Sequence, residues 1–345
     1  MYFVTHGVVM DGYSPVRDVN EDRAAAVPKT LPALGRQGPA TFLALVGLVW
    51  VTLCVIVVVR WVTCAEAFVS APRIGPDVMP AWRLVGLRIF EAISLAVMAG
   101  FLWFCVFKPI RSTGKLGLDG RFVLGGLLCF IADAFLNVQQ YLFAWNSANV
   151  NHGVWVRFLP FHNPDAPSRY AESLLWGPPM YIYFCAGVAI VACHEAGRIR
   201  RRWPAITKFR LFVAIFVFEF LFDFIVENVV IRTTHAYAFA KTYAPLTLWP
   251  GQVHQFPLYE SILVAFVGCV FTWARLEAQE RPIGESPIET GVRRWRPSLQ
   301  PHVRNLAVLG FCMLTLVFGY HLPFNWLGLI GTSHADLPSY LLPGQ

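Results

Sequence analysis

The chain has 345 residues, of which 56% are hydrophobic, 15% aromatic and only 14% charged. Soluble domains carry about 25% charged residues, so this composition excludes an ordinary soluble enzyme, and its apolar content excludes a disordered chain. The net charge of +7 suits a nucleic-acid binder only if the basic residues form one patch, and suits a membrane protein if they mark alternate loops.

In chain order, a polar tail of about 40 residues comes first, without the short charged and apolar regions of a cleaved signal peptide. Seven apolar stretches follow: Thr41–Val59, Leu84–Phe107, Phe122–Leu142, Ser173–Glu195, Lys208–Ile231, Pro257–Trp273 and His302–Tyr320. Each is near the roughly 20 residues that cross a hydrocarbon core about 30 Å thick. The fold expected is an all-α, polytopic membrane helix bundle of about seven transmembrane helices over 41–322. Extracytoplasmic loops are expected at 143–172 and 232–256, with an extracytoplasmic tail at 323–345.

The basic residues give the orientation. Twenty of the 28 lie in the N-terminal tail (Arg17, Arg23, Lys29, Arg36) or in the loops after the second, fourth and sixth spans. Seven lie in the opposite set, and Arg88 lies inside a span. The positive-inside rule then places the N-terminus in the cytoplasm and the C-terminus outside. The basic run at 198–202 reads as a topology anchor that also contacts anionic lipid. No nucleic-acid fold accompanies it, so no nucleic-acid partner is expected. Eight cysteines lie in or beside spans, Cys64 just outside one, and no CxxC pair occurs, so neither a disulfide scaffold nor a zinc site is expected.

Ionisable groups inside a bilayer are costly and face a bundle interior or a cavity. Glu219, Asp223 and Glu227 recur every four residues, on one helix face, with Asn228 beside the last. Asp133 and Asn137 are likewise four apart, Arg88 and Glu91 sit in the second span, and Glu260 in the sixth. In the orientation above, Asp133 and Glu219 fall near mid-membrane and the others in the outer half. They are expected to share one outward-opening cavity. Crowded, desolvated carboxyls do not all ionise, so some are neutral acids beside carboxylates, the pairing that general acid–base catalysis uses. A polar network holding helices together and a path for ions or protons remain alternatives.

The loops add Tyr141, Trp145, Asn146, Asn151 and Trp155, and later His235, Tyr237, Trp249 and His254. Trp176-Gly177-Pro178-Pro179 is expected to unwind the outer end of the fourth span. No histidine pair has helical ligand spacing and no Glu-x-x-His lies in a span, so neither metal nor cofactor is expected.

Asp133-Ala134-Phe135-Leu136-Asn137, Tyr141, Trp145-Asn146, Asn151-x-Gly153-x-Trp155, Trp176-Gly177-Pro178-Pro179 and the Glu219–Glu227 face together resemble the AveC-type spirocyclase membrane proteins of actinobacteria. The likeness spans roughly residues 40 to 320. It implies a plasma-membrane protein that cyclises or dehydrates a hydroxylated apolar lipid or polyketide. The family's named member closes a dihydroxy-ketone to a spiroketal with loss of water. On that reading Asp133, Asp223 and Glu227, with Glu219 in reserve, carry the catalysis. Arg88, Glu91, Asn137, Tyr141, Trp145, Asn228, His254 and Glu260 bind or orient the substrate. The competing reading is a non-enzymatic lipid-binding subunit or a transporter of an apolar solute.

Overall fold

In a hydrocarbon layer a segment must satisfy its own backbone hydrogen bonds, which selects helices for apolar stretches. The computed structural model describes residues 38–281, 285–334 and 336–344. Arg17, Arg23, Lys29 and Arg36, and all of the tail before residue 38, lie outside the described residues.

Seven helical rods occur among the described residues. They are α1 (Ala40–Thr63), α2 (Ala81–Thr113), α3 (Leu118–Cys129), α4 (Gly177–Arg202), α5 (Lys208–Thr234), α6 (Leu258–Glu280) and α7 (Gln300–Leu329). A 3-10 segment, Phe130–Asn137, continues α3. Each expected apolar stretch overlaps one rod. Five rods, α1, α2, α4, α6 and α7, are long and apolar enough to cross a membrane, and the chain is a multi-pass membrane protein. Helix α5 has 27 residues but carries the acidic face, and α3 gives way to the tighter turn.

Local chemistry sets the rod ends. Thr207 caps α5 by accepting the Arg210 amide at 3.3 Å. Gly114 ends α2 at φ +68°, a left-handed conformation that costs glycine little. Small residues let α1 and α7 meet closely: a Cβ on Gly310 would collide with the Leu43 carbonyl, and one on Gly47 with that of Leu306. Helix α2 leaves Trp82, Val85, Ile89, Ile93 and Phe104 exposed, an apolar face suited to lipid.

One end of the bundle is a cap built from the connecting segments. The all-α expectation did not include its three short antiparallel ladders. β1 (Phe143–Trp145) pairs with β2 (Tyr237–Phe239), with Phe143 opposite Phe239. β3 (Lys241–Thr242) pairs with β6 (Thr332–Ser333), and β4 (Thr247–Leu248) with β5 (Phe256–Pro257). Asn151 accepts the amides of Ala71 at 2.9 Å and Gly153 at 3.0 Å, tying the segment after α1 to that after α3. Residues 336–344 are packed into this cap. Asp77 and Ser339 exchange two hydrogen bonds of 3.0 and 2.8 Å, and Leu341 is fully buried. The other end is joined by ion pairs: Arg275–Asp119 at 2.8 Å, Arg200–Glu280 at 2.7 Å and Arg304–Glu285 at 2.8 Å.

Candidate active site: a buried carboxyl network

Helix α5 turns Glu219, Asp223 and Glu227 inward toward α6, because every fourth residue returns to the same face. Glu260 is buried in the first turn of α6. Tyrosines from two other elements meet these groups. The Tyr237 hydroxyl on β2 donates to Glu227 Oε1 at 2.7 Å, and the Tyr320 hydroxyl on α7 donates to Glu260 Oε1 at 2.6 Å. Asp223 faces the Ser261 hydroxyl. Gly268 of α6 makes room for Glu219, since a Cβ there would stand 3.2 Å from its carboxyl carbon. A small apolar void lined by Phe184, Val188, Val264, Val267, Gly268 and Tyr320 lies alongside.

Asp133, on the 3-10 segment, extends the network from another side. It faces the carboxyl of Glu172 and the hydroxyl of Tyr181 without closing a hydrogen bond to either. Glu172 lies in the segment before α4 and is completely buried. Burial raises its carboxyl pKa well above the usual range, and Asp133 adds to the rise. Burial also raises the Tyr237 hydroxyl, with Glu227 adding to it. Tyr181 meets Nε2 of His321 at 2.7 Å.

Six carboxyls are therefore buried in one connected region. Both oxygens of Asp133 and Glu172, and one each of Glu219, Asp223, Glu227 and Glu260, have no hydrogen-bond partner among the described residues. Among the described residues none of the six is in an ion pair. Like charges this close, out of water and without a cation, do not all ionise. Neutral acids beside carboxylates can give and accept protons along the network.

The other residues singled out in the sequence have different surroundings. Arg88 pairs with Glu91 and donates to the Ala148 carbonyl at 2.7 Å, and Glu91 accepts the Val150 amide at 3.2 Å. This pair fastens α2 to the cap, and the Arg88 side chain is 46% exposed. Asn137 spends its side chain on the backbone, accepting the amides of Leu142 and Phe143 at 2.9 Å and donating to the Phe143 carbonyl at 2.8 Å. Asn228 donates to Phe224 of its own helix at 2.8 Å. Tyr141 donates to the Leu341 carbonyl at 3.2 Å and accepts the Trp145 amide at 3.1 Å. Trp145 stacks on Trp176 with ring centroids 4.7 Å apart. His254 is half-buried against Trp249. Sequence reading missed Glu172, Tyr181, Ser261, Tyr320 and His321. His321, directly after the seventh apolar stretch, was the available signal, because an ionisable group at such a place marks a polar interior. Glu172, in a loop, gave none.

The family model described as Spirocyclase AveC-like matches residues 114–343. This stretch contains all six buried carboxyls and Tyr181, Tyr237, Tyr320 and His321, and leaves out Arg88 and Glu91. No curated protein and no solved structure matches the chain. The family match covers about two thirds of the sequence, and the chain belongs to the AveC-like spirocyclase family.

Proposed function

We propose that the chain is a membrane-embedded cyclase or dehydratase that acts by carboxyl acid–base chemistry on a hydroxylated apolar lipid or polyketide. The observation that carries this reading is the set of six buried carboxyls that have unpartnered oxygens and no paired cation among the described residues. Closing a ring from a carbonyl and a hydroxyl, with loss of water, needs an acid at the leaving oxygen and a base at the attacking hydroxyl. Neutral and ionised carboxyls side by side supply both. Family membership and the apolar helices support a membrane-associated enzyme with an apolar substrate.

The chain crosses the membrane seven times in this proposal, with residues 1–40 as a cytoplasmic tail and the cap outside. The twenty basic residues on alternate segments support this orientation. Tyr237 of the cap then meets the network from the outer side, through Glu227.

A second reading is a non-enzymatic subunit in which the network only joins helices. Its support is the close packing around the carboxyls, where Trp145, Trp155, Trp176 and Tyr181 are essentially fully buried. Native mass spectrometry of the purified protein, followed by comparison of extracts from deletion and parent cells, separates the two. A substrate accumulating in the deletion, with a product lighter by one water missing, supports the enzyme. Unchanged extracts support the subunit.

A further inference from the structure

The buried network contains one carboxyl pair that the acidic face of α5 does not supply. Asp133 and Glu172 come from segments 39 positions apart in the chain, and both are essentially inaccessible to solvent. All four of their oxygens are buried and have no hydrogen-bond partner among the described residues. The Tyr170 hydroxyl, two residues before Glu172, faces Glu172 and Asp133 and is likewise buried without a partner among the described residues. A structural hydrogen-bond network satisfies its members; here unsatisfied groups from two segments face one another.

The surroundings hold the pair firmly. Asn137 pins the 3-10 segment that carries Asp133 through its three backbone hydrogen bonds. Ser173, next to Glu172, accepts the Trp176 amide at 3.3 Å and fixes the approach to α4. Tyr181 faces Asp133 and is itself held by His321, with the two rings nearly parallel at 8°. None of these contacts consumes a carboxyl oxygen of the pair.

We propose that Asp133 and Glu172 are the acid–base pair that meets the reacting oxygens of the substrate, with Tyr181 and His321 as positioning residues for Asp133. This inference rests on the cyclase reading above and names the residues that perform it. The pair holds one proton between its two carboxyls. In the first step a substrate hydroxyl oxygen bonds to the carbonyl carbon and passes its proton to ionised Asp133. The carbonyl π pair takes the proton of neutral Glu172 and becomes a hydroxyl. In the second step that carbon–hydroxyl bond breaks, and the hydroxyl leaves as water with the proton from Asp133. A second hydroxyl oxygen then bonds to the carbon and gives its proton to Glu172. One water is released and the pair returns to its starting state.

The test uses deletion cells complemented with the full chain as wild type, E172Q, D133N, Y181F or the control E195Q. The readouts are the compound that differs between deletion and parent extracts, and infrared spectra of each purified protein in H2O and D2O. E172Q and D133N each lower product formation about 100-fold or more, while E195Q matches wild type. Y181F keeps part of the activity and displaces its pH profile. The wild-type minus E172Q spectrum contains the carbonyl band of a neutral carboxyl, and D133N perturbs that same band. Full activity in E172Q overturns the pair, and so does the absence of that band. If wild type restores no product, the cyclase reading falls, and the band alone then decides whether the two carboxyls share a proton.

Discussion

Tyr320 donates its hydroxyl to Oε1 of Glu260 at 2.6 Å, fastening α7 to α6 at the carboxyl network. His321, the next residue, reaches Tyr181 on α4. Neighbouring residues of a regular helix point about 100° apart. Here Val317–His321 forms a π-helical turn, a widening that recurs at functional sites, and both side chains are buried. One local irregularity thus joins two parts of the network.

Y320F removes the hydrogen bond to Glu260 and leaves that carboxyl without a partner among the described residues. The expected cost is about 1–3 kcal/mol, read as a lower melting temperature in detergent. E260Q keeps an acceptor for Tyr320 and is expected to melt close to wild type. Equal melting of Y320F and wild type would show that this bond contributes nothing to stability.

R88M is expected to be more damaging than its exposure suggests, because it strands buried Glu91 against the Val150 amide. Breaking a buried pair costs about 3–5 kcal/mol, and the half-exposed Arg88 places this case below that range. The double variant R88M/E91L is expected to recover most of the loss. A double-mutant cycle in thermal denaturation measures the coupling, which is zero if the pair does not hold α2 to the cap.

His235 ends α5 at φ +47° and meets the Tyr340 hydroxyl at 2.8 Å. Burial lowers its pKa to about 4, with Arg83 and His254 adding to the shift. Above about pH 6.5 both folded and unfolded chains hold it neutral. As pH falls from there toward 4, the unfolded chain takes up a proton that the folded chain refuses, so stability falls. H235Q is expected to flatten the melting-temperature profile in this window. Part of the slope survives, because burial also lowers His162 and His254.

Fusions of a cytoplasm-active and an export-active reporter test the proposed topology. Fusions after Arg202 or Arg296 are expected to report the cytoplasm, and fusions after Ala166 or Gly251 the outside. Export activity after Arg202 would reverse the orientation.

Much of the helical architecture is legible because period and apolarity are local properties. Glu219, Asp223 and Glu227 announce a buried face through spacing alone, and the structure turns all three toward α6, with Asp223 and Glu227 near Glu260 and Glu219 beside Gly268. Asn137 illustrates the limit. Its sequence neighbourhood marks a polar residue in an apolar stretch, but only the turn to Phe143 reveals that the backbone consumes its amide. Glu172 was illegible because a loop glutamate is ordinarily solvated, and nothing local says that the cap buries it against Asp133. The short ladders in the cap were missed for the same reason: two- and three-residue strands are defined by their partners, which lie far away in sequence.

The central claim is that buried carboxyls perform proton transfer on an apolar substrate. Its most direct test is product formation in deletion cells carrying D133N or E172Q, with each variant first shown to be membrane-inserted and as thermally stable as wild type. Wild type is expected to restore the compound missing from the deletion, and both variants to fall by about 100-fold or more. Stable variants that restore the compound to the wild-type level would contradict it.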